Sequence, residues 1–332
     1  MCKIVIIFLL SFIREHAIVI KGQPYAGNCV IFYEGRLEIT KIQLTTNDND
    51  MEALKFLSVD RNNPYYSGRT RIYGSLYIVG GSETSLKNIS LQIIQNGRPV
   101  AVAKLADSAR TTLINVYFKP TSSGTGRLDF KNGLLFELTN AEAALIDVSK
   151  DGVAVLRVHI EANMAHDGEA FADYSIPVKL LTLFSGNNRY GIRDSGLGGD
   201  DWVLPSVWDV INRLGPMYRW NDFSKMNGGK FPPHKTHADG QDADGYFDDY
   251  NKRDGTVARR LVDMINQSPD LSKIRKIFVT YERNQIDSFW QMIRTVTLRD
   301  GRQAPDVIQN IPGHETHFHI VIEPEASLLV VN

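Results

Sequence analysis

The sequence predicts two joined architectures: a mostly β, sandwich-like first half and an α+β second half built on a small antiparallel sheet. Three observations carry this. Residues 30–184 show period-two alternation broken by closely spaced turn signals. A Gly/Asn/Asp-rich stretch, "SGNNRYGIRDSGLGGDD", interrupts the pattern at Ser185–Asp201. Beyond it, helix-period stripes alternate with short apolar runs. A chain of 332 residues is long for one core, which agrees with two units.

In chain order, "MCKIVIIFLLSFIREHAIVI" opens the sequence with Lys3 and an apolar run, Ile4 to Ile13. That run suits the core of an export signal and is too short to span a bilayer. Arg14, Glu15 and His16 break it, and no clear small-x-small cleavage site follows. A cleaved leader over 1–25 and a buried first strand both stay open. Residues 26–185 are expected to form the β-rich unit. In "TLINVYFKP", Ile114, Val116 and Phe118 share a face, and in "VAVLRVHIE" Ala154, Leu156, Val158 and Ile160 do. "NGRP", "TSSGTG" and "KNG" read as turns. Residues 186–332 form the second unit. "PSVWDVINRLGP" predicts a helix with Ser206 and Asp209 as a capping box and a stop at Gly215-Pro216. "DGTVARRLVDMINQSP" predicts a second helix, with Val257, Leu261, Met264 and Ile265 as its stripe. "KIFVTY" reads as a buried strand, "DSFWQMIRTV" as a short helix with Asp287 as cap, and "THFHIVIE" as the last strand.

Composition excludes some functions. The formal net charge is −1, so no polyanion or anionic membrane is implied as partner. No basic run interleaved with aromatics supports nucleic-acid binding. The cysteines are Cys2 and Cys29. Removal of a leader would strand Cys29, so neither a disulfide framework nor cysteine ligation of a metal is expected.

The chemistry sits in two windows that hold five of the eight histidines. "PHKTHADGQDADG" carries His234, His237 and Asp244, and "GHETHFHIVIE" carries His314, His317 and His319. On a strand, His317 and His319 point to one face. His237 and Asp244 straddle Gly240, which lets the chain bend so that both reach one point. Clustered neutral imidazoles suit a zinc ion. Two histidines and a carboxylate leave a fourth position for water, the pattern of a catalytic site. A nearby group must then carry the proton, and His317 is placed for it.

The second window resembles the G-H-x-x-H-F-H signature of the penicillin-insensitive murein endopeptidases, which share the lysostaphin, D-Ala-D-Ala peptidase and hedgehog-like zinc fold. The first window is similar to that family's G-H-x-S-H-x-x-G-x-D-x-D segment, with Pro233 in place of glycine and Thr236 in place of serine. "DFSKMNGG", Asp222 to Gly229, and "KIFVTY" also resemble family segments. The likeness covers about residues 189–323 and leaves the β-rich half unaccounted for. It implies His237, Asp244 and His319 as zinc ligands. It makes His317 the general base and then acid, and gives His314 the oxyanion or the orientation of the base. His234 becomes a residue lining the site or supporting a ligand. The family cleaves D-Ala–diaminopimelate cross-links, and the "HFH" ending sides with its endopeptidases over the carboxypeptidase relatives. Glu315 is a rival base.

Other readings stay beside this one. "HETH" is not a zincin helix, since its histidines are three apart. The aspartates from Asp239 to Asp249 fail the calcium-loop template at two positions. Asp239 or Asp242 either faces a substrate amine or is a solvated loop carboxylate, and Asp242 and Glu315 stand with His234 as residues expected to bind substrate or to support a ligand. His16, His159 and His166 stand alone, and the four tryptophans read as core. The expectation is a periplasmic or secreted zinc peptidase acting on peptidoglycan peptides. The alternatives are a D,D-carboxypeptidase, an antibacterial toxin with an immunity partner, and a non-catalytic binding module stabilised by zinc. Oligomeric state is not legible.

Overall fold

The computed structural model describes residues 38–45, 54–59, 69–79, 85–105, 125–148, 153–164, 168–184, 188–190, 199–281 and 287–323. The candidate leader, both cysteines, His16, His166 and the "TLINVYFKP" strand lie outside the described residues.

The first half runs β1 (Glu38–Thr45), β2 (Phe56–Ser58), β3 (Arg69–Val79), β4 (Ser85–Gln95), β5 (Arg98–Leu105), β6 (Thr125–Glu137), α1 (Asn140–Ala143), β7 (Val153–Met164) and β8 (Gly168–Leu183). The second half continues with β9 (Trp202–Val203), α2 (Pro205–Arg213), β10 (Arg219–Asn221), β11 (Asp242–Tyr246), α3 (Gly255–Gln267), β12 (Ile274–Val279), α4 (Asp287–Arg294), α5 (Ala304–Val307), β13 (Ile308–Asn310) and β14 (Phe318–Ile322). Strands dominate and helices are few. Among the described residues no helix is long and apolar enough to cross a membrane.

The β-rich half meets its expected strand content, but in one sheet where the sequence suggested a sandwich. Its strands join in one curled sheet, ordered β1-β3-β6-β5-β4-β7-β8-β2, with β9 added on β8. On β7, Ala154, Leu156, Val158 and Ile160 are all buried, as the alternation predicts. Asn96 and Gly97, both with positive φ, make the tight β4–β5 turn. "KNG" is no turn. It lies inside β6, where the register jumps from Phe130↔Gly74 to Leu134↔Ile72, so the signal marks a bulge.

The second half holds a five-stranded sheet, β10-β11-β14-β12-β13. It is antiparallel except for the β12–β13 pair, which is parallel. Helix α2 begins two residues earlier than the capping-box reading places it. Pro205 takes the first turn, Leu204 is the cap, and Ser206 is inside the helix. Its end is as expected, with Gly215 at φ 94 just beyond. Helix α3 is capped by Asp254, which accepts from the Thr256 and Val257 N–H groups, and it buries Val257, Leu261, Met264 and Ile265. Asp287 is the first residue of α4.

Successive residues of a strand face opposite sides, and β8 uses this to join two cores. Leu180 packs with Leu156 and Ile160 of the β-rich half. Leu181, Leu183 and Phe184 pack with Trp202, Trp220 and Phe223 of the second half. The described residues of the Gly/Asn-rich stretch are docked. The Phe184 N–H donates to the Asp201 carbonyl at 2.8 Å, and the Arg189 guanidinium donates to the Asp201 carboxylate at 2.8 Å.

Candidate metal centre

Strands β11 and β14 lie side by side with Asp244 directly opposite His319. The pairing sets two of the expected ligands on one face of the sheet. The third, His237, comes from the loop that leads into β11. That loop turns at Gly240, with φ 71, where a Cβ would lie 2.8 Å from a Leu181 methyl and 2.9 Å from the Leu204 nitrogen. Only glycine fits.

Three donor atoms converge. His237 Nε2 is 2.9 Å from His319 Nδ1, which is 3.0 Å from Asp244 Oδ1, and His237 Nε2 is 3.2 Å from that same oxygen. A tetrahedral ion with bonds of 2.0–2.1 Å has ligand–ligand edges of about 3.3 Å. The triangle is therefore of the size that holds such an ion. His234 joins more loosely. Its Nδ1 is 4.0 Å from Asp244 Oδ2, and ligand atoms of His234, His237 and Asp244 all lie within 4.8 Å of one another. The triangle with His319 is the tighter of the two, and its edges lie nearer to that coordination geometry.

The backs of both imidazoles are engaged. A carbonyl only accepts, so His237 Nδ1–H donates to the Phe223 carbonyl at 2.8 Å, which leaves the Nε2 lone pair for the triangle. His319 Nε2–H donates to Asp242 Oδ1 at 2.9 Å, which aims Nδ1 at the triangle. Such outer hydrogen bonds fix the tautomer and ring plane of a ligating histidine. Phe278 stacks on His319 at 5.4 Å. His237, Asp242, Asp244 and His319 are each at most 4% exposed. Four such polar side chains buried together must satisfy one another or share a partner.

The electrostatics agree. Burial raises the Asp244 carboxyl, but its contacts with the imidazoles of His237 and His319 outweigh it and hold the group well below the usual carboxylate range. Burial disfavours charge on His319, yet Asp242 and Asp244 prevail and lift it to about 9. Without a metal, His319 thus keeps a proton that an ion would displace. Burial lowers His317, His314 and His234, so each offers a neutral imidazole at neutral pH.

His317 sits immediately before β14, half-buried, with Nε2 at 3.4 Å from Asp244 Oδ2. His314 is also half-buried. Its Nδ1–H donates to the Ile311 carbonyl at 2.9 Å, and its ring centroid lies 5.3 Å from that of His317. Its main chain is pinned by Thr280 Oγ1, which accepts from the His314 N–H at 2.8 Å, and by Tyr250 Oη, which donates to the His314 carbonyl at 3.1 Å. Glu315 is brought elsewhere. Its exposed carboxylate turns back to accept from the Gly313 N–H at 3.3 Å.

Asp242 is not a solvated loop carboxylate: it is buried, begins β11 and accepts from His319 Nε2–H. Asp239 is partly buried and raised to about 6, first by burial and then by the Asp242 charge. His159 pairs with Asp173 at 2.7 Å, remote from the centre in sequence and in sheet position. Asp222 was not singled out from the sequence. Its Oδ2 is 3.7 Å from His234 Nε2, and burial followed by the Asp244 charge raises it. The Phe223 carbonyl leaves no trace in side-chain identity. Phe278 does: it falls on the face of β12 opposite the buried Ile277 and Val279.

No protein-family model matches the chain, and no curated protein does. A solved structure of murine CRIg matches at 5% identity with a TM-score of 0.19, covering 42% of this chain and 96% of that one. A likeness so slight carries no argument about fold or function.

Proposed function

We propose that the chain is a zinc-dependent endopeptidase that hydrolyses peptide cross-links of peptidoglycan, of the D-Ala–diaminopimelate type. The observation that carries this is the buried His237–Asp244–His319 triangle with the neutral, half-exposed His317 beside it. Two imidazoles and a carboxylate form a donor set for zinc with a position left open. Bound there, zinc would supply Lewis acidity, making water a nucleophile near neutral pH and polarising the scissile carbonyl.

The chain's own residues do the rest. His317 Nε2 takes the proton from the attacking water and returns it to the leaving amine. Burial keeps it unprotonated at neutral pH, with Nε2 free to take a proton. His314 already gives its Nδ1–H to a carbonyl, so its neutral ring offers a lone pair and not a donor. That favours orienting His317 over stabilising an oxyanion. Asp242 and the Phe223 carbonyl hold the ligand rings, and Glu315, engaged with Gly313, is the weaker candidate for base. Access to such a substrate implies a periplasmic or secreted setting. A toxin carrying this site would need an immunity partner.

The test is digestion of purified cross-linked peptidoglycan, read by mass spectrometry. Wild type should convert cross-linked dimers to monomers, while His319→Ala, His317→Ala and a chelated sample should not. One tightly bound zinc with no cleavage would sink the peptidase reading.

A further inference from the structure

The β-rich half reaches the metal loop through its shortest strand. Ser58, the last residue of β2, exchanges hydrogen bonds with Asn227: the Ser58 N–H donates to Asn227 Oδ1 at 2.8 Å, and the Asn227 N–H donates to Ser58 Oγ at 2.7 Å. Ser58 is 0% and Asn227 1% exposed, so water cannot replace either bond. The next residue, Gly228, threads a narrow gap. A Cβ there would stand 2.8 Å from the Phe56 ring on β2 and 2.7 Å from the Ala238 carbonyl oxygen. The Gly229 N–H then donates to that Ala238 carbonyl at 2.6 Å, one residue after His237.

A second hold lies beside the first. Ser58 pairs with Leu181 across the parallel β2–β8 ladder, and the Val59 N–H donates to the Leu181 carbonyl at 2.9 Å. Leu181 presses on Gly240 at the other end of the loop. The segment from Ala238 to Gly240 is thus gripped at both ends through adjacent strands of the β-rich half. A module tethered only to carry the enzyme would need no reciprocal buried bonds.

We propose that the β2–β8 edge is a positioning element of the metal centre, with Ser58 and Asn227 as positioning residues that set where His237 sits. The inference rests on the metal reading of the triangle. It makes the β-rich half part of the centre's assembly.

The experiment uses the full chain and two readouts: zinc affinity, by competition with a chromophoric chelator, and melting temperature of the metal-free protein. The variants are Ser58→Ala, Asn227→Ala and Ser58→Thr, which keeps the hydroxyl. Ile160→Val, in the core of the β-rich half and away from the loop, controls for general destabilisation. Ser58→Ala and Asn227→Ala should weaken zinc binding by about tenfold, the low end for losing support of a ligating histidine. Ser58→Thr should recover most of that loss, and Ile160→Val should lower the melting temperature with zinc affinity unchanged. Wild-type affinity in folded Ser58→Ala overturns the proposal, and so does an equal loss in Ile160→Val. A wild type that binds no zinc overturns the metal reading and this inference together. Normal zinc binding without peptidoglycan cleavage sinks the peptidase reading alone, and the tenfold loss would still support the brace.

Discussion

Gly245 offers the sharpest test of how the core supports the centre. It follows Asp244 on β11 and lies between Trp220 on β10 and Phe318 on β14. An alanine Cβ there would penetrate the Phe318 ring and come within 2.8 Å of Trp220 Cζ3. Carbon atoms rest at about 3.5–4.0 Å, so the phenyl ring must shift by about 1 Å. It has nowhere to go. Phe318 is fully buried, with ring centroids 5.7 Å from Trp220, 5.8 Å from Phe247 and 6.1 Å from Tyr250. Overpacking costs about 1–3 kcal/mol, and overlap with two aromatics puts Gly245→Ala near the top, about 3 kcal/mol. All four tryptophans lie in residues 186–332, so urea unfolding followed by tryptophan fluorescence reads this half selectively. Because Phe318 stands between His317 and His319, zinc affinity should fall as well. A variant within about 0.5 kcal/mol of wild type would refute the packing described for β10, β11 and β14.

Other perturbations separate the remaining parts. Asp242→Asn keeps an acceptor for His319 Nε2–H but loses the charge, and zinc affinity should drop about 10- to 100-fold; a chelator titration matching wild type would remove Asp242 from the centre. Tyr250→Phe deletes the bond to the His314 carbonyl and should cost about 1 kcal/mol in urea unfolding while sparing zinc affinity; a change in zinc affinity would count against His314 lying outside the triangle. Asp239 has a folded value of about 6, above the ordinary value of about 3.9. Between those values the folded state binds the proton more tightly, so its contribution lowers stability as pH rises from about 4 to 6. Asp239→Asn can still accept from the Gln241 N–H, and should stabilise the metal-free protein at pH 7 by up to about 3 kcal/mol. The gain should vanish near pH 4; a pH-independent difference would assign it to some other cause.

Much of the second half was legible because its signals are local. The α3 stripe and the stop at Gly215 depend on neighbours in sequence, and the structure keeps both. The placement of His237, Asp244 and His319 was legible from two spaced motifs. What the sequence hid depends on contacts between distant segments. "KNG" has turn chemistry, yet a partner strand absorbs it as a bulge. Asp242 looks like one more loop acid until His319 is brought against it from β14. Ser206 looked like a cap because Ser and Asp sit three apart, but Pro205 already starts the helix. The Ser58–Asn227 exchange spans 169 positions, and neither residue type announces it.

The cross-strand placement of Asp244 and His319 has a mechanical consequence. Neighbouring strands are joined by backbone hydrogen bonds, and here two facing side chains also offer atoms 3.0 Å apart to one ion. An ion held there would rivet β11 to β14 at the middle of the five-stranded sheet. Opening that ladder would then require breaking coordination bonds as well as backbone hydrogen bonds. Amide hydrogen exchange in β11 and β14 should slow on metal loading far more than in β13 at the sheet's edge, so occupancy would be written into the deuterium uptake of two strands.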